Sequence, residues 1–189
     1  MAKGLLIVYT GASGVGKGTV MKRLLQENSN LRLSVSATTR APRPGETNGI
    51  EYHFVTIDKF KEMIANDELL EHAVYCGNYY GTPEKSVRDM IDSGLDVMLE
   101  IEVEGYKQIK KQFPDCVTIF MLPPSVEELE KRLSGRGTEK QDVVQQRLNR
   151  AVEEMTFAKY FDYQVTNDDV EKTKDEILNI IANIKKERN

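Results

Sequence analysis

Apolar positions along this chain come in short blocks whose spacing switches between that of strands and that of helices. Residues 5–9 (LLIVY) form an uninterrupted apolar run that predicts a buried strand, and Val20, Met21, Leu24 and Leu25 then follow a helical stripe that fades by residues 28–30. From residue 33 to about residue 82 the texture changes. Residues 33–39 are β-prone, and Pro42, Pro44, Gly45, Asn48 and Gly49 punctuate turns. Residues 52–56 predict another strand, and residues 58–66 a short helix burying Phe60, Met63 and Ile64. The ELLEHA segment reads as a helix end carrying Glu71, and GNYYG at 77–81 as an aromatic turn. Thr82 is expected to cap the next helix, with Pro83 at its first position and Gly94 at its end. This block has the look of a small inserted subdomain. Buried-type strands return at 97–101 and 117–122, separated by a helix marked by Tyr106, Ile109 and Phe113. Ser125 and Glu128 are spaced as a capping box for a helix running to about Leu133. After a polar, turn-rich segment suited to a lid come a long helix over 142–158, a strand at 163–166, and a last helix with Val170, Ile177, Ile181 and Ile184 on one stripe. Strands alternating with helices predict an α/β sandwich with a parallel sheet, whose ligands sit beyond the carboxyl ends of the strands.

The first strand runs into Gly11, Ala12, Ser13, Gly14, Val15, Gly16, Lys17, Gly18 and Thr19. Such a loop turns backbone N–H groups around a phosphate, Lys17 adds a point charge, and the helix that opens there adds the positive end of its dipole. The match to the G-x-x-x-x-G-K-[ST] phosphate-binding pattern is one residue out of step. Position 18 is glycine, and the hydroxyl expected near a metal ion and the β-phosphate arrives at Thr19. The loop predicts a nucleoside triphosphate with a metal ion, Mg2+ being the one expected.

Glu100 and Glu102 close the strand after the inserted block, and alternation puts them on one side of the backbone. Two acids at that point favour contact with magnesium, its waters or a substrate. Arg40 and Arg43 lie in a turn of the inserted block, where they suit bidentate grip on an acceptor phosphate. Arg136, in a glycine-flanked loop, and Arg147, on the following helix, suit closure over a transferring phosphoryl group; Arg132 and Arg150 are their neighbours. The net charge of −4 argues against a nucleic-acid polymer as partner, and local arginine clusters in an acidic chain fit small anions better. Cys76 and Cys116 read as reduced thiols rather than a metal site or disulfide, and His53 and His72 have no companion nucleophile. No apolar stretch approaches membrane-spanning length, so a cytoplasmic enzyme is expected.

Taken together, SVSATTRAPRPGE, GIEYHFV, ELLEHA, GNYYGTP, LEIEVEG, LPPS, RLSGRGTE and VTNDD closely resemble the guanylate kinase family over nearly the whole chain. The resemblance implies a parallel-sheet P-loop nucleotide kinase sandwich. Residues 1–35, 84–133 and 146–189 would form its core, 36–83 a GMP-binding subdomain and 134–145 a lid. It implies transfer of the γ-phosphoryl group of Mg-ATP to GMP or dGMP, with no membrane partner, and leaves monomer and homo-oligomer equally open. Ser36, Glu71, Thr82 and Glu102 would surround guanine. Arg40, Arg43, Tyr52 and Tyr80 would hold the GMP phosphate. Lys17 and the loop amides would hold ATP, with Asn167 near adenine, while Arg136 and Arg147 would act from the lid side. Glu71 makes chemical sense of this, because guanine offers adjacent N1–H and N2 amino donors that one carboxylate accepts together. Adenine presents a bare N1 acceptor there, which a buried carboxylate would meet at a cost of several kcal/mol. Glu100 and Glu102 stand where aspartates are common in the family, and Thr82 where serine is; charge and hydroxyl are kept. Domains of this type also serve as protein-binding scaffolds, which are expected to lose the phosphate-loop lysine or the lid arginines; Lys17, Arg136 and Arg147 are all present.

Overall fold

The computed structural model describes residues 3–134 and 141–188. Strands β1 (Leu6–Gly11), β2 (Leu31–Leu33), β7 (Asp96–Glu100), β8 (Val117–Leu122) and β9 (Tyr163–Thr166) form one sheet in the order β2-β7-β1-β8-β9. Parallel registers set Leu31 opposite Asp96 and Ile119 opposite Tyr163. Every residue of β1 is buried, as is all but the last of β8, which is why these strands read as continuous apolar runs rather than alternating ones. The main chain clusters into two units, Met1–Val8 with Asn30–Val117, and Tyr9–Ser29 with Thr118–Asn189.

Within the first unit a second sheet is built from β3 (Ala37–Thr38), β4 (His53–Phe54), β5 (Leu69–Tyr75) and β6 (Asn78–Pro83), in the order β4-β3-β6-β5. Helix α2 (Ile57–Ala65) buries Phe60 and Met63 against Ala37, with Ile64 packed at the margin. The helix ends at Ala65 with Asn66 as its cap, and Asp67, in the left-handed region at φ 54°, breaks the helical path before β5. ELLEHA therefore lies in a strand, contrary to the helix end expected, because the break at Asp67 comes before it. Residues 78–81 of GNYYG are likewise strand: only Cys76 and Gly77, both at positive φ, make the two-residue hairpin turn between the Tyr75–Asn78 pair. Thr82 sits inside β6 and is fully buried, so it does not cap α3 (Glu84–Asp92). Pro83 holds the cap position instead, and the Thr82 hydroxyl is turned to Glu71.

Strand β5 lies at the end of the second sheet, and its outer edge is covered by α4 (Val103–Gln112). The Gln108 side chain mimics a strand there: its Nε2 donates to the His72 carbonyl at 2.8 Å and its Oε1 accepts the His72 N–H at 3.1 Å. One turn on, Gln112 donates to the Leu70 carbonyl at 2.9 Å. Two amide side chains thus pin α4 to the backbone on either side of Glu71.

The second unit carries α1 (Lys17–Glu27), α5 (Val126–Ser134), α6 (Gln141–Met155), a 3-10 turn at Ala158–Tyr160 and α7 (Val170–Arg188). Ser125 Oγ accepts the Glu128 N–H, as the capping-box spacing requires. Helix α6 stops short of the expected residue 158 because the chain tightens into the 3-10 turn. Helices α1 and α7 are tied by Lys174, buried yet bonded to both Glu27 carboxylate oxygens at 2.8 Å, with Glu171 at 3.1 Å and Asp175 at 3.0 Å.

Candidate active site

In the second unit β1 delivers its carboxyl end straight into the glycine loop. Gly16 precedes α1 at φ 99°, a conformation that L side chains resist, so the turn into the helix depends on glycine. Lys17 Nζ reaches back to the Gly11 carbonyl at 2.6 Å and the Ala12 carbonyl at 3.3 Å, which holds the ammonium over the loop. Gly18 and Thr19 are exposed at the first turn of α1, and a Cβ placed on Gly18 would meet no atom within 4 Å. That turn contains no acidic side chain, so the positive end of its dipole is left to an anion.

The loop is braced from three directions. Asn167 Nδ2 donates to the Val15 carbonyl at 2.8 Å while its Oδ1 accepts from the Thr173 hydroxyl. Arg132 donates to the Asn167 carbonyl at 2.9 Å. Arg147, on α6, donates to the Ser13 hydroxyl at 3.1 Å, and Glu154 accepts the Ser13 N–H at 3.2 Å. Lys17, Ser13, Arg147 and Asn167 are therefore brought together at one loop, with the Asn167 amide engaged by the Val15 carbonyl and the Thr173 hydroxyl. Arg136 lies outside the described residues.

In the first unit the Arg43-Pro44-Gly45-Glu46 sequence folds into a turn closed by the Glu46 N–H on the Arg43 carbonyl. Proline at its second position and Gly45 at φ 88° in its third are what a type II turn requires. The turn swings the Glu46 carboxylate under Arg40, which it meets through both guanidinium nitrogens at 2.9 and 2.8 Å, and onto the Arg43 N–H at 2.6 Å. The Glu46 bond raises the Arg40 pKa, and the Arg40 bond lowers that of Glu46. The Arg40 guanidinium also stands 5.4 Å from the Tyr52 ring centre, and Tyr52 packs edge-on to Tyr80 at 6.0 Å. Burial first, then the Glu100 charge, raises the Tyr52 pKa, keeping its hydroxyl protonated as a donor. Arg40, Tyr52 and Tyr80 converge, while Arg43 lies exposed on the same turn.

Glu71 is the sharpest feature of this unit. Its carboxylate is buried, 5% exposed, and accepts the Thr82 hydroxyl at 2.7 Å. Burial pushes its pKa up to about 7 against the lowering effect of the Thr82 hydrogen bonds, and the Glu102 charge adds to the rise. Glu102 is half-buried at the start of α4, Ser36 is half-buried before β3, and Glu100 is exposed at the end of β7. Among the described residues no group of three or more His, Cys, Asp or Glu side chains is placed to hold a metal ion.

Sequence reasoning passed over Glu46, Glu154, Gln108 and Gly105. A signal was present for Glu46, since Arg-Pro-Gly-Glu predicts the turn that returns its carboxylate to Arg40. The others act across long sequence separations and leave no local trace.

A parallel α/β sheet whose first strand feeds a glycine loop, a lysine and a helix N-terminus is the framework of a P-loop kinase. At the level of fold alone, the chain is similar to shikimate kinase from Bacteroides thetaiotaomicron (TM-score 0.52, 15% identity, covering 94% of this chain and 98% of that one). The family profile described as guanylate kinase matches residues 3–184. Over 176 residues the chain is 53% identical to a guanylate kinase of Prochlorococcus marinus subsp. pastoris, covering 93% of this chain and 96% of that one. Over 180 residues it is 52% identical to that of Halalkalibacterium halodurans, covering 95% and 88%. The crystal structure of guanylate kinase from Anaplasma phagocytophilum superposes with a TM-score of 0.79 at 35% identity, covering 96% of this chain and 86% of that one. The chain belongs to the guanylate kinase family.

Proposed function

We propose that this chain carries out the reaction for which its family is named, transfer of the γ-phosphoryl group of ATP to the phosphate of GMP, giving ADP and GDP. The buried Glu71–Thr82 pair carries the choice of base. A carboxylate enclosed with one hydroxyl partner needs further donors, and the adjacent N1–H and N2 amino groups of guanine supply two. The Thr82 hydroxyl, whose proton goes to Glu71, is left to accept from the base. Ser36 and Glu102 complete the set around guanine, and Arg40, Arg43, Tyr52 and Tyr80 hold the acceptor phosphate. dGMP falls within the same reading, since no residue singled out reads the sugar.

The donor nucleotide belongs to the glycine loop, residues 11–19. An oxygen of the GMP phosphate attacks the γ-phosphorus in line as the bond to the β–γ bridging oxygen breaks, and ADP leaves. The acceptor is already ionised, so no general base is required. The protein's part is to position the reactants and compensate charge, which Lys17, Arg147 and Arg136 do from the donor side. Magnesium, when bound, neutralises charge on the phosphate oxygens. The Thr19 hydroxyl, exposed at the first turn of α1, would be its ligand from the glycine loop, and Glu100 is a further candidate, direct or through water. Residues 36–83 form the monophosphate-binding subdomain in this reading, and 134–145 the lid that excludes water. No helix among the described residues is long and apolar enough to cross a membrane.

The test is a coupled assay with GMP, dGMP, AMP, CMP and UMP as acceptors. GMP is expected to be used best, AMP phosphorylated faster than GMP would overturn the base assignment, and GMP binding without GDP formation would mark a non-catalytic module.

A further inference from the structure

Helix α4 carries a buried glycine, Gly105, in its first turn, at a position where alanine would favour the helix by about 1 kcal/mol. A backbone reason is absent, because Gly105 lies within a helix and is not among the glycines at positive φ. The reason is steric. A Cβ at this position would run into the Glu71 Oε2 and lie 3.0 Å from the Glu71 carboxyl carbon, with the Ile101 Cδ1 at 3.3 Å. The missing methyl is the floor on which the Glu71 carboxylate rests.

Neither backbone can withdraw to make room. Gln108 and Gln112 lie three and seven residues beyond Gly105 on the same helix face, and their amides are bonded to His72 and Leu70, the two neighbours of Glu71. On its other side the carboxylate is held by Thr82, itself fully buried in β6. A methyl added to α4 therefore displaces the carboxylate rather than the helix. Burial already weakens the ionised form of Glu71, so a group pushed off its hydroxyl partner loses one of the few contacts that favour the charge.

We propose that Gly105 is a positioning residue for base selection: the bare backbone of α4 sets where the Glu71 carboxylate stands and so sets guanine recognition. This inference rests on the reading of Glu71 as the guanine-binding group. Gly105 touches the base only through Glu71, and a substitution there is expected to act on GMP and leave the donor nucleotide alone.

A double-mutant cycle tests this with Gly105→Ala, Glu71→Ala and the combination, measuring KM for GMP, KM for ATP, kcat and Tm. Gly105→Ala is expected to raise the GMP KM by about tenfold or more, on the scale of one lost hydrogen bond to a charged group, with the ATP KM within twofold. In the Glu71→Ala background, where the carboxylate is gone, Gly105→Ala is expected to change the GMP KM by less than twofold. An equal effect in both backgrounds, or an equal rise in the KM values for GMP and ATP, would overturn the proposal and make Gly105 a packing residue. If Gly105→Ala alone does not fold, recovery of folding in the double variant supports the steric pairing, and failure of both variants overturns it. Should Glu71→Ala leave the GMP KM unchanged, the guanine reading of Glu71 fails and this inference falls with it. A rise with Glu71→Ala but none with Gly105→Ala removes only the role given to Gly105.

Discussion

Glu71 and Lys17 carry opposite charges in unlike settings, and each turns its setting into a measurable property. Glu71 is enclosed, and its pKa of about 7 stands above its ordinary 4.5, so the folded chain keeps a proton that the unfolded chain releases between those values. This group's contribution to stability is therefore present at low pH and declines as the pH rises from about 4.5 to 7. Guanine donors favour the ionised form, so the GMP KM is expected to fall between pH 6 and 8. In Glu71→Gln that pH dependence should shrink to the part owed to the GMP phosphate, and the GMP KM at pH 8 should rise about 100-fold with the ATP KM little changed. A pH profile identical in the two proteins would show that the Glu71 carboxylate takes no part in binding the base. Lys17 stands over the Gly11 and Ala12 carbonyls. Removing its charge in Lys17→Met should lower kcat by about 10²–10³ with Tm unchanged, a loss typical of one missing donor at a developing charge. Near-normal kcat would take the donor site away from this loop.

At the scale of elements, α1 and α7 depend on a buried ammonium. Lys174 is bonded to Glu27, Glu171 and Asp175, and Arg23 binds Glu171 at 2.6 Å from the α1 side. These bonds hold the Glu171 carboxyl down at about 2, below its ordinary 4.5. Its stabilising effect is thus present above pH 4.5 and lost as the pH falls toward 2. Lys174→Met keeps the shape and deletes the charge, leaving three carboxylates together. Its Tm is expected to fall at pH 7, with the gap to the parent protein narrowing in thermal scans below pH 4.5; a constant gap would assign the effect to packing. How far such elements can be read in advance depends on the range of their causes. Strands β8 and β9 were legible to the residue, because both begin and end where the apolar pattern does. The glycine loop was legible because its chemistry is local. ELLEHA was misread because its apolar spacing suits helix and strand alike, and the deciding event is the positive φ of Asp67. Thr82 was misread for a related reason: its position before Pro83 looks like a cap, while its true partner, Glu71, is on the neighbouring strand.

For the molecule as a whole, family membership accounts for the activity, and the features singled out above fall in separate units. Tyr9–Ser29 with Thr118–Asn189 holds the glycine loop, and Asn30–Val117 holds the buried carboxylate and the Arg40 turn. The smaller sheet also bears on how copies of the chain behave in solution. Any sheet of limited width presents two rims of main-chain groups on which a second copy can crystallise strand by strand. Here one rim is the two-residue β4, too short to template anything, and the other is β5, where Gln108 takes the N–H and carbonyl of His72 and Gln112 the carbonyl of Leu70. Substituting both glutamines with alanine should unmask that second rim, and light scattering on warm, concentrated samples should register particle growth well before the parent protein clouds. Equal clouding of the two would show that these amides guard nothing. The same side chains that pin α4 beside Glu71 would then also keep the protein from polymerising.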